Sequence, residues 1–235
     1  MWIFAAVVSY FVLAITILVD KYLLSGPGLS PRTYAFYTGI LGGVVFLLVP
    51  FGYLDIPTPD LIVVALVAGA MRTFGVFFLF RGLKNFDASR IVPALGGATP
   101  IFMAVLTLFV AGEREILSLP TLAAFVFLVS GTVFVSIEKR ALVTFKSLRA
   151  SLLAALFFSL FFFLSKIVFE EHSFVSGLIW LVAGGFLSSV LFLAFKEVRK
   201  QVFGEKRKMS QKKGTILVGN QAMAGGAVVL QNYAV

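Results

Sequence analysis

Long apolar runs recur along this chain, and they restrict its fold more than any other feature. Most are close to the roughly 20 residues that an α-helix needs to cross a bilayer core. Because the runs are apolar on every face, they match helices of a lipid-exposed bundle and not one-sided surface helices. We predict an all-α polytopic membrane protein of the cell membrane, with eight spans: Trp2–Val19, Tyr34–Phe51, Leu61–Phe80, Ile91–Val110, Leu119–Ile137, Ala150–Phe169, Val175–Phe195 and Gly214–Val235.

Composition agrees with this class, with 60% hydrophobic and 13% charged residues and a mean hydropathy of +1.01. The formal net charge of +9 comes from basic residues between the spans, so we expect no nucleic-acid partner. Nearly all of these residues fall in the odd-numbered loops. The positive-inside rule therefore predicts cytoplasmic odd-numbered loops and an outside N-terminus.

The sequence contains few residues that could act in catalysis or bind a metal. The chain has no cysteine, and its single histidine, His172, follows Glu170 and Glu171 in a loop. Neither a zinc-protease motif nor a phosphate-binding loop is present. We therefore predict that the protein is not an enzyme and needs neither cofactor nor metal.

Arg72 is the most informative residue, because it lies near the middle of the third span. A charged side chain at that depth costs about 2.5 to 3.5 kcal/mol on insertion scales and tends to face a partner or a water-filled cavity. It either binds the anionic part of a substrate or pairs structurally with backbone carbonyls.

Other polar side chains are also predicted at membrane depth, as candidates to line a substrate cavity. In the eighth span, lining a cavity and joining helices by hydrogen bonds are equally open. Lys166 and Glu170 are four residues apart, which predicts a local ion pair. The cavity candidates besides Arg72 are Thr73, Ser9, Tyr10, Thr99, Asn220, Gln221, Gln231 and Asn232.

The fourth span carries Pro93 and Pro100 around Gly96 and Gly97. Each proline removes a backbone donor and clashes with the preceding turn, so this span should be kinked. We interpret these four residues as a hinge.

The order of motifs along the first half resembles a known family. Ala88-Ser89-Arg90, Pro93-Ala94-Leu95, Thr99-Pro100 and Gly112-Glu113 resemble the EamA-type family of the drug/metabolite transporter superfamily, over Trp2–Ile137. The resemblance implies a secondary transporter that moves a small metabolite or drug-like molecule through a lipid bilayer. The alternative is a non-catalytic membrane subunit or binding protein that acts with a partner chain, and a homodimer is left open.

A weak internal repeat accompanies the resemblance. Spans one to three echo spans six to eight, for example Ala5 with Ala150 and Gly75 with Gly226. A five-span unit is odd in number, so a second copy enters the membrane from the opposite side. We expect inverted repeats at 1–140 and 149–235, the second incomplete and continued by about two more spans of roughly 20 residues. Asp20 and Glu113 lie near span ends, and neither is expected at mid-depth.

Overall fold

A computed structural model describes residues 2–26, 29–108, 119, 123–124, 126–127, 130–131, 144–204 and 211–233. Within these ranges the regular structure is helical and contains no strand. Short 3-10 segments at Gly43–Phe51 and Phe192–Ala194 extend the second and sixth helices. The α-helices are α1 (Trp2–Ser25), α2 (Pro31–Gly42), α3 (Pro59–Asn85), α4 (Ala88–Leu106), α5 (Phe145–Glu171), α6 (Phe174–Leu191), α7 (Lys196–Phe203) and α8 (Gln211–Tyr233).

Six helical stretches in the described residues are long and apolar enough to cross a membrane: Ile3–Ser25, Pro31–Phe51, Pro59–Asn85, Ala88–Leu106, Phe145–Glu171 and Phe174–Ala194. They correspond to predicted spans one to four, six and seven, which are thereby confirmed. The helix of the eighth predicted span, α8, has 23 residues but is not among these six. The fifth span and Gly112-Glu113 lie largely or wholly outside the described residues.

Several helices extend beyond their apolar runs because polar residues satisfy their ends. The Ser30 side chain accepts a hydrogen bond from the backbone N–H of Thr33 (3.2 Å), which caps the start of α2. Thr144 caps α5 in the same way. At the end of α3, Lys21 Nζ donates to the carbonyls of Leu83 (2.7 Å) and Phe86 (2.8 Å), where a cation is favourable.

Small residues let α3 and α6 approach closely. A Cβ atom added to Gly69 would lie 2.0 Å from the Leu181 carbonyl oxygen, and one added to Gly184 would lie 2.2 Å from the Leu66 oxygen. Gly39 of α2 meets the Ser189 hydroxyl of α6 in a similar way. Backbone contact of this kind is the usual function of small residues in membrane helices.

The proline-containing helix α4 is continuous from Ala88 to Leu106 and packs along α5. The hydroxyls of Ser151 and Ser159 donate to the carbonyls of Ile91 (3.2 Å) and Thr99 (2.9 Å). Both pairs are 60 residues apart, so the two helices run in the same direction. The hinge at Pro93, Gly96, Gly97 and Pro100 stays a prediction.

One end of the bundle, which we call the basic end, gathers the first, third and seventh loops. Besides the Lys21 contacts, Lys84 Nζ donates to the Leu29 carbonyl (2.6 Å), and the Ser30 N–H donates to Gln201 Oε1 of α7 (3.1 Å). These contacts bring the three loops together at one end of the bundle, which agrees with the predicted placement of the odd-numbered loops. Which side is cytoplasmic stays a prediction.

The outer surface is strongly apolar. On α1, for example, Phe4, Val7, Phe11 and Leu18 are each more than 60% exposed. Exposed apolar surface of this extent is expected where lipid is the solvent.

Candidate functional site

A cavity of about 420 Å³ lies inside the bundle. Its size falls in the usual range for small-molecule sites. Five helices form its walls: α2 with its 3-10 extension, α3, α5, α6 and α8. It is therefore bounded by elements from both halves of the chain.

Arg72 of α3 lines this cavity. Its side chain is half-buried and forms no hydrogen bond or ion pair with any residue that the structure describes. The reading in which Arg72 pairs with backbone carbonyls therefore has no support among these residues. The guanidinium offers five donors and a permanent positive charge to a ligand.

The rest of the cavity surface is mostly apolar. Among the lining residues, only Thr38, Arg72 and Gln221 have polar side chains. The Thr38 hydroxyl donates to the Tyr34 carbonyl (3.0 Å), which leaves its oxygen as an acceptor. Such a surface suits a ligand with one anionic group and an apolar body.

Several predicted cavity residues lie elsewhere. Thr73 donates to the carbonyls of Gly69 and Gly185 (3.2 Å each) and so joins α3 to α6. Thr99 donates to the Leu95 carbonyl of its own helix (2.8 Å). Ser9 is fully buried, and its hydroxyl oxygen has no partner in the described part of the chain.

The remaining polar residues of α8 hold this helix along α1. Gln231 Nε2 donates to the Tyr10 hydroxyl (3.2 Å), while Tyr10 is 62% exposed and does not line the cavity. Closer to the middle of α8, Asn220 Nδ2 donates to the Thr16 carbonyl (3.3 Å). The side chain of Asn232 lies outside the described residues, and none of the four hinge candidates lines the cavity.

Sequence reasoning missed a polar cluster at Asp20. This carboxylate is only 7% exposed, and its Oδ1 accepts hydrogen bonds from Tyr34 Oη (2.5 Å) and Asn220 Nδ2 (2.6 Å). The first apolar run ends at Val19, which put Asp20 at a span end, but α1 continues to Ser25 and encloses it. The signal in the sequence was Asn220, an amide within the predicted eighth span that needs a partner.

Comparison with known proteins identifies the family. A model of the EamA-like transporter family matches residues 1–137, more than half of the chain. The chain belongs to this family. No curated protein matches it.

Family membership confirms the resemblance seen in the sequence. This EamA-like protein is a membrane transporter of the drug/metabolite superfamily and an integral, multi-pass membrane protein. Members of the family are transporters and generally not enzymes. In this transporter, the cavity around Arg72 is large enough to hold a small molecule.

Proposed function

We propose that this protein is a secondary transporter of small organic anions that carry an apolar body, and that it binds them in the cavity at Arg72. This class includes metabolites and drug-like molecules. The observation that carries the proposal is an unpaired guanidinium on the wall of an otherwise apolar cavity. Within the described structure, only a bound anion would give it a charged partner.

The energetics favour a ligand role over a structural one. A mid-span arginine costs about 2.5 to 3.5 kcal/mol on insertion scales, and leucine would serve packing without that cost. Inside the bundle, the attraction between a guanidinium and an anionic oxygen is stronger than in water, because the surroundings are less polar. Gln221, on the facing helix α8, supplies both donor and acceptor groups beside the apolar wall.

The contacts between helices support our proposal that the transporter consists of inverted repeats at 1–140 and 149–235. If α1, α2 and α3 correspond to α5, α6 and α8, the contact of α3 with α5 is equivalent to that of α1 with α8. Likewise, the contact of α3 with α6 is equivalent to that of α2 with α8, and α2 also contacts α6. A substrate site between such repeats is the arrangement expected for alternating access.

The directions of these helices agree with an inverted relation. Helix α1 ends at the basic end, where Lys21 contacts the end of α3. Helix α5 instead starts at that end, since Ser151 contacts Ile91 close to the start of α4. Corresponding first helices of the two repeats therefore run in opposite directions.

The proposal is tested with the purified protein in liposomes and naphthalene-2-sulfonate as the probe. This anion has an apolar body and stays charged at every working pH, so it crosses lipid slowly without a carrier. We expect the protein to exchange internal for external probe, and the neutral naphthalene-2-sulfonamide to compete poorly. Binding and exchange are measured for the wild type, Arg72→Leu and Arg72→Lys.

Arg72→Leu should weaken probe binding by at least roughly 30-fold, because removing one member of an enclosed charge pair costs about 2 to 5 kcal/mol. Arg72→Lys should recover part of the lost probe affinity, since lysine keeps the positive charge but lacks the planar guanidinium that can hold an anion with two hydrogen bonds. Arg81→Leu is the matched control: it removes the same charge from an exposed position of α3 and should bind normally. A folded Arg72→Leu protein that binds like the wild type would refute the site.

The same assay separates the two candidate functions. Wild-type protein that exchanges no probe of any charge favours a subunit that needs a partner chain.

A further inference from the structure

The buried cluster of Asp20, Tyr34 and Asn220 joins α1, α2 and α8 outside the substrate cavity. Asp20 is the only acidic residue that is buried in the described part of the chain. Both of its hydrogen bonds fall on Oδ1, from Tyr34 Oη and Asn220 Nδ2. A carboxylate that is kept buried without a structural cation points to a function.

The cluster has more acceptors than donors. Asp20 Oδ2 accepts no hydrogen bond from a described residue, and Asn220 Oδ1 is shielded from solvent and also without a partner. The unsatisfied Asn220 Oδ1, which is buried, costs about 1 to 3 kcal/mol. A proton on Asp20 Oδ2 turns one of these acceptors into a donor, which is what the cluster lacks.

Charged groups on the helices around Asp20 do not pair with it. On α1 itself, Lys21 donates to carbonyls at the end of α3, and on α3 Lys84 donates to the Leu29 carbonyl. On α4, Arg90 is 3.8 Å from Asp87, and on α8 Lys213 lies beside Gly26. On α2, Arg32 pairs with Glu197 (3.5 Å). No ion pair links Asp20 to a cation within the described ranges.

The cluster is connected to the cavity through two helices. Gln221 lines the cavity and directly follows Asn220 on α8, which shares Asp20 Oδ1 with the Tyr34 hydroxyl. On α2, Thr38 lines the cavity and donates to the Tyr34 carbonyl. A change at Asp20 that alters the Tyr34 and Asn220 contacts therefore reaches two polar residues of the cavity wall.

We propose that Asp20 binds and releases the proton that is co-transported with the anion, one proton per anion. The inference rests on the proposed function at Arg72. With an ionised Asp20 and an empty cavity, the two buried charges sum to zero. With a proton on Oδ2 and an anion at Arg72, the sum is again zero. The other two states, with a proton but no anion or with an anion but no proton, carry a net charge inside the membrane. That charge opposes the conformational change.

The test measures probe accumulation in liposomes that contain the purified protein, with the membrane potential held at zero by potassium and valinomycin. A pH gradient should drive naphthalene-2-sulfonate toward the alkaline side, by roughly tenfold per pH unit for one proton per anion. Because the coupled movement is electroneutral, an imposed membrane potential should not change this accumulation.

Asp20→Asn imitates the protonated carboxyl group, so the anion-loaded protein stays neutral. We expect it to keep exchanging probe across the membrane but to lose accumulation driven by the pH gradient, since its empty form carries the Arg72 charge alone. Asp60→Asn, at an exposed position in the first turn of α3, is the matched control and should accumulate probe as the wild type does.

A second readout needs no transport. Infrared difference spectra recorded on addition of probe should show a protonated-carboxyl band in the wild type and Asp60→Asn, and lose it in Asp20→Asn. If the wild type neither binds nor exchanges the probe, the proposed function fails. If exchange is normal but Asp20→Asn accumulates probe like the wild type, or a sodium gradient replaces the pH gradient, only the proton inference is overturned.

Discussion

The close contact between α3 and α6 gives the sharpest stability prediction, through Gly69→Ala. The added Cβ would lie 2.0 Å from the Leu181 oxygen and 2.5 Å from the Gly185 nitrogen. Carbon and carbonyl oxygen normally come no closer than about 3.3 Å. Since the obstructing atoms belong to backbone, the two helices must separate by about 1 Å.

The expected loss follows from three contributions. Overpacking costs about 1 to 3 kcal/mol. The Thr73–Gly185 hydrogen bond, which spans the same contact, contributes about 0.6 to 1.7 kcal/mol in a membrane protein and weakens as the helices separate. Alanine is a better helix former than glycine by about 0.8 to 1 kcal/mol, which offsets part of the loss. The net destabilisation is about 1 to 4 kcal/mol.

Unfolding of the purified protein by SDS in mixed micelles measures this change. The fluorescence of Trp180 on α6 reports the unfolding. Its Nε1 donates to the carbonyl of Asp55 (3.1 Å), which precedes α3, so its surroundings change when α3 and α6 separate. Gly219→Ala on α8 is the control: no atom lies within 4 Å of its added Cβ, so it should be neutral or stabilising. Gly69→Ala and Gly184→Ala should combine less than additively, because they separate the same helices. A Gly69→Ala protein as stable as Gly219→Ala would refute the contact.

Two further predictions concern the basic end. Lys21→Met should destabilise the protein by about 1 to 3 kcal/mol, because the carbonyls of Leu83 and Phe86 lose a charged donor; the same SDS titration measures it. Because the chain has no cysteine, single cysteines report orientation: Asp55→Cys should react with an impermeant thiol reagent from outside intact cells, and Lys200→Cys should not. The opposite labelling would reverse the predicted orientation.

The spans could be predicted because each is specified locally. About 20 apolar residues in succession have few options in a bilayer other than a helix, and no distant partner is needed to see this. The ends were less predictable, since they depend on contacts across the fold. Lys21, for instance, looked like a loop residue in the sequence, but α1 continues past it and its amine binds α3, 62 residues away in the chain.

A site residue could be predicted where its own chemistry conflicted with its place in the sequence. Arg72 stood out because its charge conflicts with its span, and it lines the cavity. Thr73, one residue on, is turned about 100° around the helix and contacts α6 instead. Asp20 gave no such signal, because its partners Tyr34 and Asn220 lie 14 and 200 residues away.

The polar side chains of α8 face other helices and the cavity instead of lipid. Its amides would be costly against lipid, yet Asn220 and Gln231 bind α1, and Gln221 faces the cavity. Helix α8 is too polar to count among the six apolar helices. Its hydrogen bonds to α1 satisfy some of the amide groups that make it polar. One helix thereby touches both the candidate anion site and the buried carboxylate. The proposed coupling of two charges needs such a connection, and α2, which carries both Tyr34 and Thr38, provides a second one.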